Sequence, residues 1–193
     1  AAQQGDPTSH FAGWERVMDE LGAAEHERAV LEVSYRCPPE VTAFARGLIG
    51  LAPPPAPPFE AITRARHDNG AHLTLWLIDE LRKIRAEDPS ASIAIVCRSE
   101  TLARSLAASL GHGVTVRLAL DGEFEFAPGI TVTCVQEVKG LEFDVTIVPD
   151  AQASVYPEGP ASDRMLYVAV TRATHHLGIA AVGPPHRSMT AID

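Results

Sequence analysis

A chain of 193 residues with 46% hydrophobic and 21% charged side chains has an ordinary globular composition and is long enough to bury a core. Its 16 lysines and arginines against 25 aspartates and glutamates leave a formal charge of −9, which excludes a surface that grips phosphate backbones over a broad area. A nucleic acid would have to be met at a local patch, with help from elsewhere.

From the N-terminus, Trp14, Val17, Met18 and Leu21 fall at the i, i+3, i+4, i+7 spacing of a short amphipathic helix that Gly22 ends. Residues 29–33 read as a short strand that delivers Ser34, Tyr35 and Arg36 at its carboxyl end. Pro38 and Pro39 stop that strand and open a helix over 40–48. The proline-rich run 53–58 suits neither a helix nor a central strand and reads as an extended surface connector. Beyond it the pattern predicts a helix over 70–86, a strand over 92–97, a helix over 100–110 and a short strand over 114–118. Strands over 130–135 and 145–148, a helix over 162–174 and a strand over 177–182 complete the series. Ile93–Val96 and Val145–Val148 are apolar runs rather than alternations, the pattern of strands covered on both faces. Alternating them with helices predicts an α/β fold, a parallel sheet flanked by helices. Residues 1–22 are expected to precede the main domain, 23–183 to form it, and 184–193 to be a tail.

Cys37, Cys97 and Cys134 are isolated thiols without Cys-x-x-Cys or His at metal spacing, so buried free cysteines are expected and no metal site. Trp14 and Trp76 read as core residues, and His175-His176 as a solvated helix-to-strand junction. No apolar run approaches the roughly 20 residues a membrane helix needs, and no signal-peptide pattern opens the chain. A cytoplasmic location without membrane partners is expected, and the start at Ala1 suggests a piece of a longer protein.

Ligands of open α/β sheets sit beyond the carboxyl ends of strands, where Arg36 and the loop Gln136–Asp144 are expected to fall. In that loop Gly140 permits a tight turn, Leu141 and Phe143 can anchor it in the core, and Glu142 is an exposed acceptor. On the helix read over 162–174, with Ser162 as its N-cap, Leu166, Ala169, Val170 and Ala173 form an apolar stripe. Arg172 projects about 120° from that stripe, free to reach across an interface. Guanidinium groups suit charge growing on a transferring phosphoryl group, because they stay charged and can pair two oxygens. Nowhere, however, is there a Gly-x-x-x-x-Gly-Lys-Ser/Thr phosphate loop.

Three segments carry a family resemblance. Ser34-Tyr35-Arg36-Cys37-Pro38-Pro39-Glu40, Lys139-Gly140-Leu141-Glu142-Phe143-Asp144 and Leu166-Tyr167-Val168-Ala169-Val170-Thr171-Arg172-Ala173 resemble motifs IV, V and VI of UvrD/Rep-type superfamily 1 helicases, in that order. The resemblance implies a second RecA-like domain, a P-loop NTPase-type fold lacking the P-loop. It would act on ATP and Mg²⁺ held mainly by an N-terminal RecA-like domain of the same protein, and on single-stranded DNA. It implies that Arg36 and Arg172 are arginine fingers, that Glu142 meets the ribose and that Gly140 lies in the nucleotide loop. Gln3, in a segment similar to the tail of motif III, would sense the γ-phosphate. Arg98, Gln136 and Lys139 are the expected nucleic-acid contacts, although Gln136 stands where many family members have His. Only residues 50–129 separate the motif IV and motif V regions, too few for a full inserted helical domain, which together with Gln136 and the Trp14 region points toward the HelD-like or short UvrD-C-terminal branch. Three functions follow as expectations: the C-terminal motor domain of an ATP-dependent DNA helicase, inactive alone; a HelD-like ATPase domain acting on RNA polymerase; or a non-catalytic binding module.

Overall fold

The computed structural model describes residues 13–23, 25–27, 36–53, 60–125 and 127–190. Gln3, the strand read over 29–33 and all but the first residue of the proline-rich run lie outside them. Strands Ile62–His67 (β1), Ser92–Cys97 (β2), Arg117–Leu118 (β3), Gly129–Cys134 (β4), Phe143–Val148 (β5) and Ala173–Val182 (β6) form one six-stranded sheet in the order β1-β6-β5-β2-β4-β3. Every pairing within it is parallel.

Residue alternation along the strands divides the core in two. Ile93, Ile95, Ile130, Val132, Val145 and Ile147 join one cluster, which helices Gly70–Glu87 (α3) and Glu100–Leu110 (α4) cover with Leu73, Leu77, Leu81, Ala103 and Leu110. Ala94, Val96, Val148, Leu177 and Ile179 join the other, covered by helices Pro39–Leu48 (α2) and Pro160–Val170 (α5). Local chemistry sets the helix starts. Asn69 accepts from the His72 N–H at 2.9 Å to cap α3, the Ser99 hydroxyl caps α4 through Leu102, and Pro39 and Pro160 occupy first turns where a missing N–H costs nothing. All three cysteines are buried and free.

Several expectations are corrected. The last long helix spans Pro160–Val170 and not 162–174: Gly159 is its N-cap, Ser162 is buried in its first turn, and β6 begins at Ala173. At its end the Thr171 N–H still reaches the Tyr167 carbonyl at 3.1 Å, the Arg172 N–H tightens onto the Ala169 carbonyl at 3.2 Å, and the Thr171 hydroxyl donates back to the Tyr167 and Val168 carbonyls at 2.8 and 3.2 Å. β1 goes unread in the sequence because Arg64, Arg66 and His67 interrupt it; as an edge strand it tolerates them, with Arg64 lying over the Phe44 ring at 5.6 Å and beside Glu40 at 3.5 Å. The helix Trp14–Glu20 (α1) forms, but none of its residues is buried and Trp14 is 48% exposed, so its stripe does not reach the core. His175 and His176 lie within β6, not at a junction, and His175 Nδ1 sits 3.2 Å from the Asp144 carboxylate. In the region read as a tail, the His186 N–H donates to the Ala151 carbonyl at 2.8 Å and a helical turn, Arg187–Thr190 (α6), follows.

Burial on α3 predicts unequal costs for two leucines of one helix. Leu77 is fully buried whereas Leu75 is 61% exposed. Leu77→Ala is expected to lower unfolding free energy by roughly 2–5 kcal/mol, and Leu75→Ala by under about 0.5 kcal/mol, both read by urea denaturation.

Candidate functional site

The connection from β4 to β5 decides where the chemistry sits. The two strands run parallel on either side of β2, so residues 135–142 leave the carboxyl end of one strand and must return to the amino end of the other. They do so along the face covered by α2 and α5, where Val135 and Val138 are buried and Leu141 is partly buried. Gly140 turns at φ +89°, in open space that any Cβ would fit but at an angle that favours glycine. Glu142 is therefore delivered to the amino end of β5, and Arg172 precedes β6 at the same end. The expectation that this loop acts beyond the carboxyl ends is corrected: the crossing carries its functional end to the opposite edge of the sheet.

Arg172 is fully buried, not free to reach across an interface. Its Nε donates to the Val168 carbonyl at 2.9 Å, Nη1 to the Leu141 carbonyl at 3.0 Å and Nη2 to the Thr171 hydroxyl at 3.1 Å. Leaving the helix two residues early folds this side chain inward, because it can then answer carbonyls of α5 and of the crossing loop together. Burial, and next the charge of Arg36, pulls its pKa below the ordinary guanidinium value. The Arg172 carbonyl accepts from the Phe143 N–H at 2.9 Å, and the Cys37 thiol donates to the Thr171 carbonyl at 3.4 Å. Burial raises the Cys37 pKa, with Arg172 and Arg36 opposing that rise. Arg36 and Glu142 lie outside this buried layer as a close ion pair, about 40% exposed on each side chain. Residues from three segments far apart in sequence thus meet at one place, with one guanidinium accessible and one inside. A register shift between β5 and β6 immediately follows, at Phe143–Val145.

The expected nucleic-acid residues lie elsewhere. Arg98 follows β2 at the carboxyl end of the sheet, Gln136 follows β4 at that end, and Lys139 is exposed midway along the crossing. Arg98 rests on residues that the sequence reading missed. Its backbone N–H donates to Asp150 Oδ2 at 2.7 Å, and its guanidinium lies 5.7 Å from the Tyr156 ring centre. Asp150 Oδ1 and the Tyr156 hydroxyl are buried without partners among the described residues. Burial pushes the Asp150 pKa up to about 7, against the lowering by the Arg98 N–H and charge. The signal for Asp150 was its position directly after a buried apolar strand, where α/β folds gather polar groups. Among the described residues no three His, Cys, Asp or Glu side chains converge to hold a metal ion, and no helix is long and apolar enough to cross a membrane.

Residues 129–180 match the family model of the UvrD-like helicase C-terminal domain. That stretch contains Gln136, Lys139, Gly140, Glu142 and Arg172; Arg36 and Arg98 precede it. No curated protein matches the chain significantly. Among solved structures, the C-terminal domain of a possible DNA helicase from Lactobacillus plantarum WCFS1 superposes with a TM-score of 0.69 at 24% identity, over 83% of this chain and 95% of that one. This likeness shows the RecA-like α/β fold. The UvsW helicase of bacteriophage T4 (TM-score 0.43, 13% identity, 86% of this chain and 59% of that one) is more distant. So is the Hef helicase domain of Pyrococcus furiosus (TM-score 0.42, 11% identity, 57% of this chain and 26% of that one).

The different burial of the two arginines predicts unequal stability effects. Arg172→Ala removes the donor to the Leu141 carbonyl and one donor each to the Val168 carbonyl and the Thr171 hydroxyl, and is expected to lower unfolding free energy by roughly 2–4 kcal/mol, whereas Arg36→Ala should change it by less than about 1 kcal/mol. Equal effects in urea denaturation would refute the inward clasp. Asp150 sets a pH dependence: between about pH 4 and 7 the folded chain retains a proton that the unfolded chain has lost, so stability falls as pH rises through that window and levels off above it. Asp150→Asn keeps an acceptor for the Arg98 N–H and should remove this fall, making the variant gain on wild type at pH 8 relative to pH 4.

Proposed function

We propose, from a chain whose residues 129–180 are of the UvrD-like helicase C-terminal domain type, that it forms the nucleotide-closing half of an ATP-driven helicase motor acting on single-stranded DNA. The observation that carries the reading is the convergence of Arg36, Glu142 and Arg172, from segments far apart in sequence, at the amino ends of β5 and β6. Arg172 is accounted for by the carbonyls it holds, but the fold has no need of a half-exposed guanidinium placed against a carboxylate above it, whereas a site that answers a phosphate and a sugar hydroxyl does.

The donor set fits ATP with Mg²⁺ held mainly by a partner RecA-like domain of the same protein. When bound, the nucleotide supplies a γ-phosphoryl group for transfer to water. Arg36 is the accessible guanidinium, and its exposed ion pair with Glu142 is of the weak kind that a phosphate can displace. Released from Arg36, Glu142 is an acceptor for a ribose hydroxyl. Arg172, beneath them, holds the loop that presents Glu142, and contributes its charge directly only if the motif opens on closure of the two domains. Arg98, Gln136 and Lys139 supply contacts for the strand. No feature of the fold favours an RNA polymerase partner, and the convergence of Arg36 with Glu142 speaks against a purely passive module.

The test is turnover. The chain alone is expected to show no magnesium-dependent ATP hydrolysis, since its sequence holds no phosphate loop. In the protein that joins it to a phosphate-loop domain, Arg36→Ala should lower DNA-stimulated turnover by roughly 10³-fold or more while ATP affinity changes only a few-fold. Unchanged turnover would return Arg36 to a surface ion pair.

A further inference from the structure

Against β3 and the amino end of β4, and lined by neither Arg36 nor Arg172, lies a groove of about 470 Å³. Arg82, Arg85 and Arg117 line it, and among the described residues no carboxylate does. On a chain with a net charge of −9, that concentration of positive charge is a local exception. Its floor is apolar, from Leu81, Val114 and Ile130.

Each arginine is held by one carbonyl and left with unused donors. Arg82 Nη2 donates to the Gly113 carbonyl at 2.9 Å, Arg85 Nη1 to the Pro89 carbonyl in a short bond, and Arg117 Nη2 to the Ala127 carbonyl at 2.7 Å. The Arg117 Nε is buried without a partner among the described residues. The acid at the rim is Glu125, 69% exposed and 3.7 Å from Arg117 Nη1, a pair of little strength. Two glycines shape the walls. A Cβ at Gly129, whose φ is +132°, would fall 3.2 Å from Arg117 Nη2, and one at Gly113 would fall 2.5 Å from Ile78 Cδ1. Arg117 therefore lies flat along a backbone that only glycine leaves clear.

We propose that this groove binds a phosphate group, carried either by a nucleic-acid strand or by a free polyphosphate. Three guanidinium forks offer more donors than one carboxylate can accept, whereas a phosphate has three or more oxygens and up to two charges. The apolar floor suits the sugar or base that accompanies such a phosphate, and the size falls within the range of ligand sites. The site shares no residue with the cluster at β5 and β6, so it stands or falls separately from the motor reading.

Nuclear magnetic resonance of the isotope-labelled chain tests it, with inorganic pyrophosphate as the probe. Pyrophosphate should shift the amides of Gly113, Thr115 and Gly129 saturably, and an Arg36→Ala chain should respond equally. Arg82→Gln/Arg85→Gln, at helix surface positions that do not threaten folding, should weaken binding at least tenfold, and Arg117→Gln should do the same. An oligothymidylate without terminal phosphates that competes for these amides identifies a strand as the source, with a salt slope near −2 if about three phosphates are neutralised. Competition by pyrophosphate alone identifies a free polyphosphate. Absent or non-saturating shifts, shifts that survive the double variant, or tighter binding of hexaglutamate at equal ionic strength would overturn the proposal.

Discussion

One buried guanidinium organises the amino end of the sheet. Arg172 gathers the carbonyl of Val168 at the end of α5, the carbonyl of Leu141 in the crossing loop and the hydroxyl of Thr171. In a dry interior each of these acceptors needs a donor, and a single planar cation answers all three. What surrounds it depends on that clasp. Phe143 enters β5 hydrogen-bonded to the Arg172 carbonyl, and Cys37 is drawn to the Thr171 carbonyl, which sets where Arg36 emerges to meet Glu142. The accessible chemistry is thus presented by a buried platform rather than by flexible side chains.

The two ends of the sheet differ in electrostatic character. At the amino end, charges are paired near the surface over a hydrogen-bonded layer. At the carboxyl end, Asp150 and Tyr156 are buried beneath Arg98 with polar atoms unanswered among the described residues, and burial raises both of their pKa values. Near neutral pH, Asp150 is poised between charged and neutral forms, which makes the electrostatic setting of Arg98 dependent on its protonation. A protein of strongly negative net charge can still engage phosphates if it gathers some of its arginines apart from carboxylates, as Arg82, Arg85 and Arg117 are gathered in the groove beside β3.

The interior of the sheet was legible in the sequence. β2 was read with its own boundaries, and β4 and β5 to within two residues, because their apolar runs are long enough to need cover on both faces. The edges were not. β1 carries arginines that an edge strand tolerates and a pattern search discards, and β3 has only two paired residues. The three segments that carry the family resemblance hold Arg36, Glu142 and Arg172, which the fold places near one another, yet the helical period assigned Arg172 to an exposed helix face. A period describes side-chain direction only while the helix lasts, and this one ends at Val170, two residues before Arg172. Asp150 escaped notice because its importance comes from burial, a tertiary property. The two glycines beside Arg117 and Ile78 likewise have no sequence signature beyond being glycine.

The crossing from β4 to β5 has little slack. Nine Cα steps separate Cys134 from Phe143, at most roughly 30 Å of chain, and the straight path back along a six-residue strand and across two strand spacings is already roughly 22 Å. Turns at both Glu137 and Leu141 consume most of the difference. A displacement of Glu142 along the strand axis that exceeds what those turns release is passed along the peptide to Gln136. The same short peptide that touches one end of the sheet is therefore a mechanical lever on the other.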